Sequence, residues 1–134
     1  MEINMTEKQF RRLLDLVYIG NWVLNSSRGD DRIKDYDDVE TLVFGECAKH
    51  GMGRLSAVYD GELQPSDEFA EGGIHEAIMA YEDDMFYEIL AEELARRDLD
   101  GDAANMDEMN RLCDEYLEEF RKHGTDNVII ELDE

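Results

Sequence analysis

Apolar residues recur three and four positions apart along most of this chain, and that spacing restricts it to a fold built mainly from helices. Thr6 followed by Gln9 is a capping-box pair. It opens a run from Glu7 to about Asn25 that carries Phe10, Leu13, Leu14, Val17, Asn21 and Leu24 at helical intervals. Between Leu13 and Leu24 the run is apolar on nearly every side, which predicts a central helix with Trp22 as a core anchor. The small and polar residues from Ser26 to Asp31 then form a loop.

A second helix is expected from Asp31 or Asp35 to His50, with Tyr36, Val39, Leu42, Val43 and Cys47 inward and Gly51 as its cap. Residues 52–73 are less regular. Arg54 to Tyr59 reads as a short helical turn, Asp60-Gly61 and Gln64-Pro65-Ser66 as turns, and Ser66 as a further cap. A long stripe of Ile74, Ile78, Tyr81, Met85, Ile89 and Leu94 then runs to about Asp98. A kink is expected where Glu82, Asp83 and Asp84 crowd together, and Arg96 and Arg97 suit the negative end of the helix dipole.

Gly101 ends that segment, and Asn105 with Glu108 forms another cap-like pair. The last helix carries Met106, Met109, Cys113, Tyr116 and Phe120 and stops at Gly124. Asn127 to Leu132 is β-prone but lacks a partner strand in the chain. The expected architecture is therefore mainly α: one domain, residues 1–134, as a bundle of four to five helices with a short C-terminal extended segment.

Composition decides which functions suit such a bundle. With 35 acidic and 13 basic side chains the formal charge is −22, which excludes direct nucleic-acid binding and anionic-membrane docking as default roles, since both need clustered Lys and Arg. A 43% hydrophobic content and a single Pro argue for a folded chain. The first residues show no signal-peptide pattern, and no apolar run nears the roughly 20 residues of a membrane span, so a soluble cytoplasmic protein is expected. Cys47 and Cys113 read as buried thiols on helical stripes.

The charge is uneven. Residues 1–28 carry a net +1, residues 29–54 carry −3, residues 55–95 carry −12 and residues 96–134 carry −8. Between Arg54 and Arg96 there is neither Lys nor Arg. Asp84, Glu88 and Glu92 recur four positions apart, setting like charges about 6 Å from one another on a helix at a small cost in stability. A row of carboxylates on a rigid helix resembles the phosphates of a nucleic-acid strand and projects a negative potential toward a basic cleft.

The leading expectation is a non-enzymatic acidic interaction protein that binds a basic protein surface, with mimicry of nucleic acid before a nucleic-acid-binding protein as one form of it. Asp83, Asp84, Glu88 and Glu92 would supply the surface, and Phe86 and Tyr87 the anchor at its centre. A solvated face that only aids solubility and an adaptation to high salt stay open as alternatives. A homodimer through the C-terminal segment is a further expectation.

No cofactor is implied. The run Asp98-Leu99-Asp100-Gly101-Asp102 offers the first alternating carboxylates of a calcium loop. Counted from Asp98, however, Ala103 stands where the turn Gly belongs and Met109 where the bidentate Glu belongs. Asp98, Asp100 and Asp102 are thus weak metal candidates. Cys47 and His50 have C-x-x-H spacing, but a tetrahedral site needs two more ligands. His75-Glu76 lacks the second His of the zinc-protease pattern, and the common phosphate-loop, dinucleotide and nucleophile-elbow signatures are absent. A small enzyme or metal-dependent binder with a pocket between helices is the rival reading.

Overall fold

The computed structural model describes residues 1–99 and 105–133. The fold is mainly α, with helices α1 (Glu7–Asn25), α2 (Lys34–Phe44), the single turn α3 (Asp67–Phe69), α4 (His75–Asp98) and α5 (Met106–His123). A hairpin of β1 (Ser56–Tyr59) and β2 (Glu62–Pro65) lies between α2 and α3. The chain divides into two compact units, Met1–Ile78 and Met79–Glu134, and the division falls in the first turn of α4.

The first unit is organised by α1. Thr6 and Gln9 close the capping box in both directions, at 3.1 and 2.9 Å. The buried stripe of α1 is Phe10, Leu14, Asn21 and Asn25, so half of what this helix buries is polar. Trp22 is 37% exposed and Leu16 and Val23 stand in solvent, so Trp22 is no core anchor and the helix is not enclosed on every side. The core is formed by Phe10, Leu14, Phe44, Cys47, Leu55, Phe69, Ile74 and Ile78, with Phe69 set edge-on to Phe44 at 5.0 Å. Tyr36, Val39 and Leu42 lie on the outer side of α2, whose inward apolar residues are Val43 and Phe44. The chain then tightens into a 3₁₀ turn, Cys47–His50, which Gly51 ends in the left-handed conformation (φ 71°).

Ser56–Tyr59 forms a strand where a helical turn was expected, since both central residues of the connection, Asp60 (φ 53°) and Gly61 (φ 79°), have the positive φ of a type I′ hairpin turn. Val58 pairs with Leu63 and Tyr59 with Glu62. Thr41 of α2 donates to the Leu63 carbonyl at 3.1 Å, and Ser66 donates to the Arg54 carbonyl at 2.7 Å while its oxygen accepts from Phe69 N–H. The bend expected at Glu82–Asp84 is absent: α4 passes through unbroken. The irregularity sits earlier, in a π-type turn (Ala70–Ile74) where Gly73 adopts φ 112°. Repulsion between exposed carboxylates is worth only a few tenths of a kcal/mol per pair, too little to break a helical ladder.

In the second unit α5 runs antiparallel to α4. Tyr87 meets Phe120 at 5.4 Å near one end, and Cys113 Sγ lies 4.0 Å from the Ala91 carbonyl farther along. Ala91 and Ala95 are fully buried, and their small side chains allow the helices to approach. Asn105 caps α5 by accepting from Glu108 N–H at 3.2 Å. Beyond Gly124 the tail joins no strand among the described residues, and Ile129, Ile130 and Leu132 are 77–84% exposed.

Candidate functional site

All twelve acids between Arg54 and Arg96 are exposed. Among the described residues only Glu68, 3.4 Å from Arg54, and Glu93, bound to Arg96, have an ion-pair partner. Asp84, Glu88 and Glu92 form an unpaired row along α4. Phe86 does not sit at the centre of that row. Two residues on a helix turn through about 200°, which puts Phe86 on the opposite side from Asp84 and Glu88. It shares its side with Asp83, three positions earlier, and with the exposed Met79 and Ile89. Tyr87 is half-buried against Phe120 and belongs to the packing of α4 on α5.

The metal candidates do not assemble. Asp98 accepts from the Tyr116 hydroxyl and from Arg97 Nε at 2.9 Å, and these bonds, the Tyr116 one foremost, hold its carboxyl below the ordinary range. Asp100 and Asp102 lie outside the described residues. Cys47 is fully buried, which pushes its thiol up, while the exposed His50 lies tilted against Phe10, ring centres 4.7 Å apart. Burial also raises the Cys113 thiol, and the charges of Glu92 and Asp114 add to this, so neither sulfur is an activated nucleophile. No group of three or more His, Cys, Asp and Glu side chains suited to a metal occurs among the described residues.

A second arrangement, in the first unit, was not apparent from the sequence. Asn25, 1% exposed, accepts from Ile33 N–H at 2.8 Å and donates to the Ile33 carbonyl at 3.0 Å, closing the loop between α1 and α2. The same amide nitrogen donates to Asn21 Oδ1 at 2.7 Å, leaving Asn21 to donate to Asp37 at 3.0 Å and to Glu40 Oε2 at 3.1 Å. Arg32 grips Asp37 with two bonds of 2.6 and 2.8 Å, and this pairing is the chief reason the Asp37 carboxyl is depressed. Glu40 moves the other way. Burial raises its carboxyl, the Asn21 bond opposes this, and the charge of Asp37 adds to it.

Above this network opens a cavity of about 360 Å³ lined by Tyr18, Asn21, Trp22, Ser26, Arg32 and Glu40. The Tyr18 hydroxyl lies 2.6 Å from His75 Nε2, and the His75 ring stands edge-on to Trp22 at 4.9 Å. The available signal is Asn21 and Asn25, two amides four positions apart at the end of the largely apolar stretch that begins at Leu13. Compared with protein-family models, with curated proteins and with solved structures, the chain matches none.

Proposed function

We propose that this chain is an acidic interaction protein that docks on a basic surface of another protein, such as the nucleic-acid-binding cleft that a row of carboxylates would mimic. The observation that carries this reading is the stretch from Arg54 to Arg96, whose twelve exposed acids include only two with an ion-pair partner among the described residues. A stretch shaped by stability alone would interleave Lys with these carboxylates, because i,i+4 pairs of opposite charge stabilise a helix and like pairs weaken it. Unpaired, they raise the encounter rate with a cationic partner in a salt-dependent way. The contact has two sides on α4: the acid row Asp84, Glu88 and Glu92, and the opposite side, where Phe86 has Asp83 beside it.

Replacing Asp84, Glu88 and Glu92 together by Lys is expected to abolish capture of the partner from extract of the source cell and to leave the helical circular dichroism intact. Raising the salt should release the partner from the unchanged protein, and duplex DNA should compete with it if mimicry is the mode. Undiminished capture by the triple variant overturns the proposal.

A further inference from the structure

We propose that the cavity over Asn21 is a binding site for an organic cation, an alkylammonium or guanidinium group, with Trp22 and Tyr18 as its aromatic walls and Glu40 as its counter-ion. The site lies in the first unit and is independent of the acidic surface of α4, so either reading can fail without the other.

Three observations select a cation over an anion. Arg32, the one base lining the cavity, is held bidentately by Asp37 and is neutralised there. Glu40 accepts only from Asn21, on Oε2, and its Oε1 accepts from no donor among the described residues. No side-chain oxygen or nitrogen among the described residues is both buried and without a partner, so the unpartnered Oε1 is reached by solvent. Asp37 and Glu40 set against Arg32 leave the hydrogen-bonded network beneath the cavity one negative charge, inside a protein of charge −22 that concentrates cations around itself.

The walls then distinguish an organic cation from a metal ion. Asp37 already spends both oxygens on Asn21 and Arg32, leaving Glu40 as the single free carboxylate, whereas a hard divalent ion collects six or more oxygen ligands. Indole and phenol faces attract ammonium and guanidinium groups within about 6 Å of the ring. The Tyr18 hydroxyl, 2.6 Å from His75 Nε2, adds an oxygen with two acceptor lone pairs to the same wall. The volume, about 360 Å³, holds a short alkyl stem as well as the charged head. Such a group arrives either on a free amine or on a Lys or Arg side chain of a partner.

Trp22 is the chain's single tryptophan, so its emission reports on this site alone. Titration with n-butylammonium chloride, followed by Trp22 emission and by the ligand's own NMR lines, is expected to saturate on the order of 1 to 10 mM. The neutral isostere n-butanol, at matched ionic strength, should not saturate. Glu40→Gln, which keeps the carbonyl that Asn21 needs, should weaken n-butylammonium at least tenfold. N-acetyl-lysine methylamide separates the sources: binding tenfold tighter than n-butylammonium assigns the site to a partner's side chain, and equal or weaker binding assigns it to a free amine. The proposal is overturned if n-butanol binds as well as n-butylammonium, if neither saturates in either readout, or if Glu40→Gln binds n-butylammonium as the unchanged protein does.

Discussion

Asn25 does the work of a backbone segment. Its amide exchanges two hydrogen bonds with Ile33 as a paired strand would, and it is almost completely buried. Asn25→Ala should therefore lower stability by about 2 kcal/mol in urea denaturation, since it strands the N–H and carbonyl of the half-buried Ile33. Glu40 predicts the reverse sign. Its folded-state carboxyl is raised, chiefly by burial, so it costs stability when ionised and ceases to do so as the pH falls through its folded value toward its unfolded one. Glu40→Gln should accordingly raise the melting temperature at pH 7, and the gain should vanish below about pH 4.

At this scale the sequence was legible in part. Asn21 was placed on the inward stripe of α1, and it is inward. Its partners Asp37 and Glu40 lie 16 and 19 positions away, and no local spacing reveals which residues of α2 will face it. Trp22 is not legible as exposed, because the Leu13–Leu24 stretch is apolar on nearly every side and gives periodicity no side to choose.

Among the elements, the legible features are those whose partners are three or four residues apart. The capping box of α1, the Ser66 and Asn105 caps and the Gly51 and Gly124 stops all follow from short-range chemistry. Of the hairpin the sequence shows the Asp60-Gly61 turn but not its two strands, because strands of four residues have too few alternations to stand apart from a helical turn. Gly61→Ala, which forces a Cβ into φ 79°, should destabilise the protein by about 1 kcal/mol in chemical denaturation. The acid row is legible as a spacing along α4, and the helical repeat alone puts Phe86 on the opposite side from it.

For the whole molecule, a charge of −22 with acids concentrated beyond residue 54 means that self-repulsion opposes folding. The melting temperature should rise with sodium chloride between about 0.01 and 1 M, over which the Debye length falls from ~30 to ~3 Å. A flat response would mean that the carboxylates are already compensated. Near pH 4.2, where the net charge vanishes, the exposed Ile129, Ile130 and Leu132 lose the repulsion that keeps copies apart, and light scattering should show self-association there. Among the described residues no helix is long and apolar enough to cross a membrane.

The stretch without bases also governs which covalent chemistry can reach the protein. Its four lysines, Lys8, Lys34, Lys49 and Lys122, all lie outside that stretch, so acyl transfer or isopeptide conjugation to lysine cannot mark the hairpin or α4. Trypsin, which needs Lys or Arg, releases the region as one fragment, Leu55–Arg96.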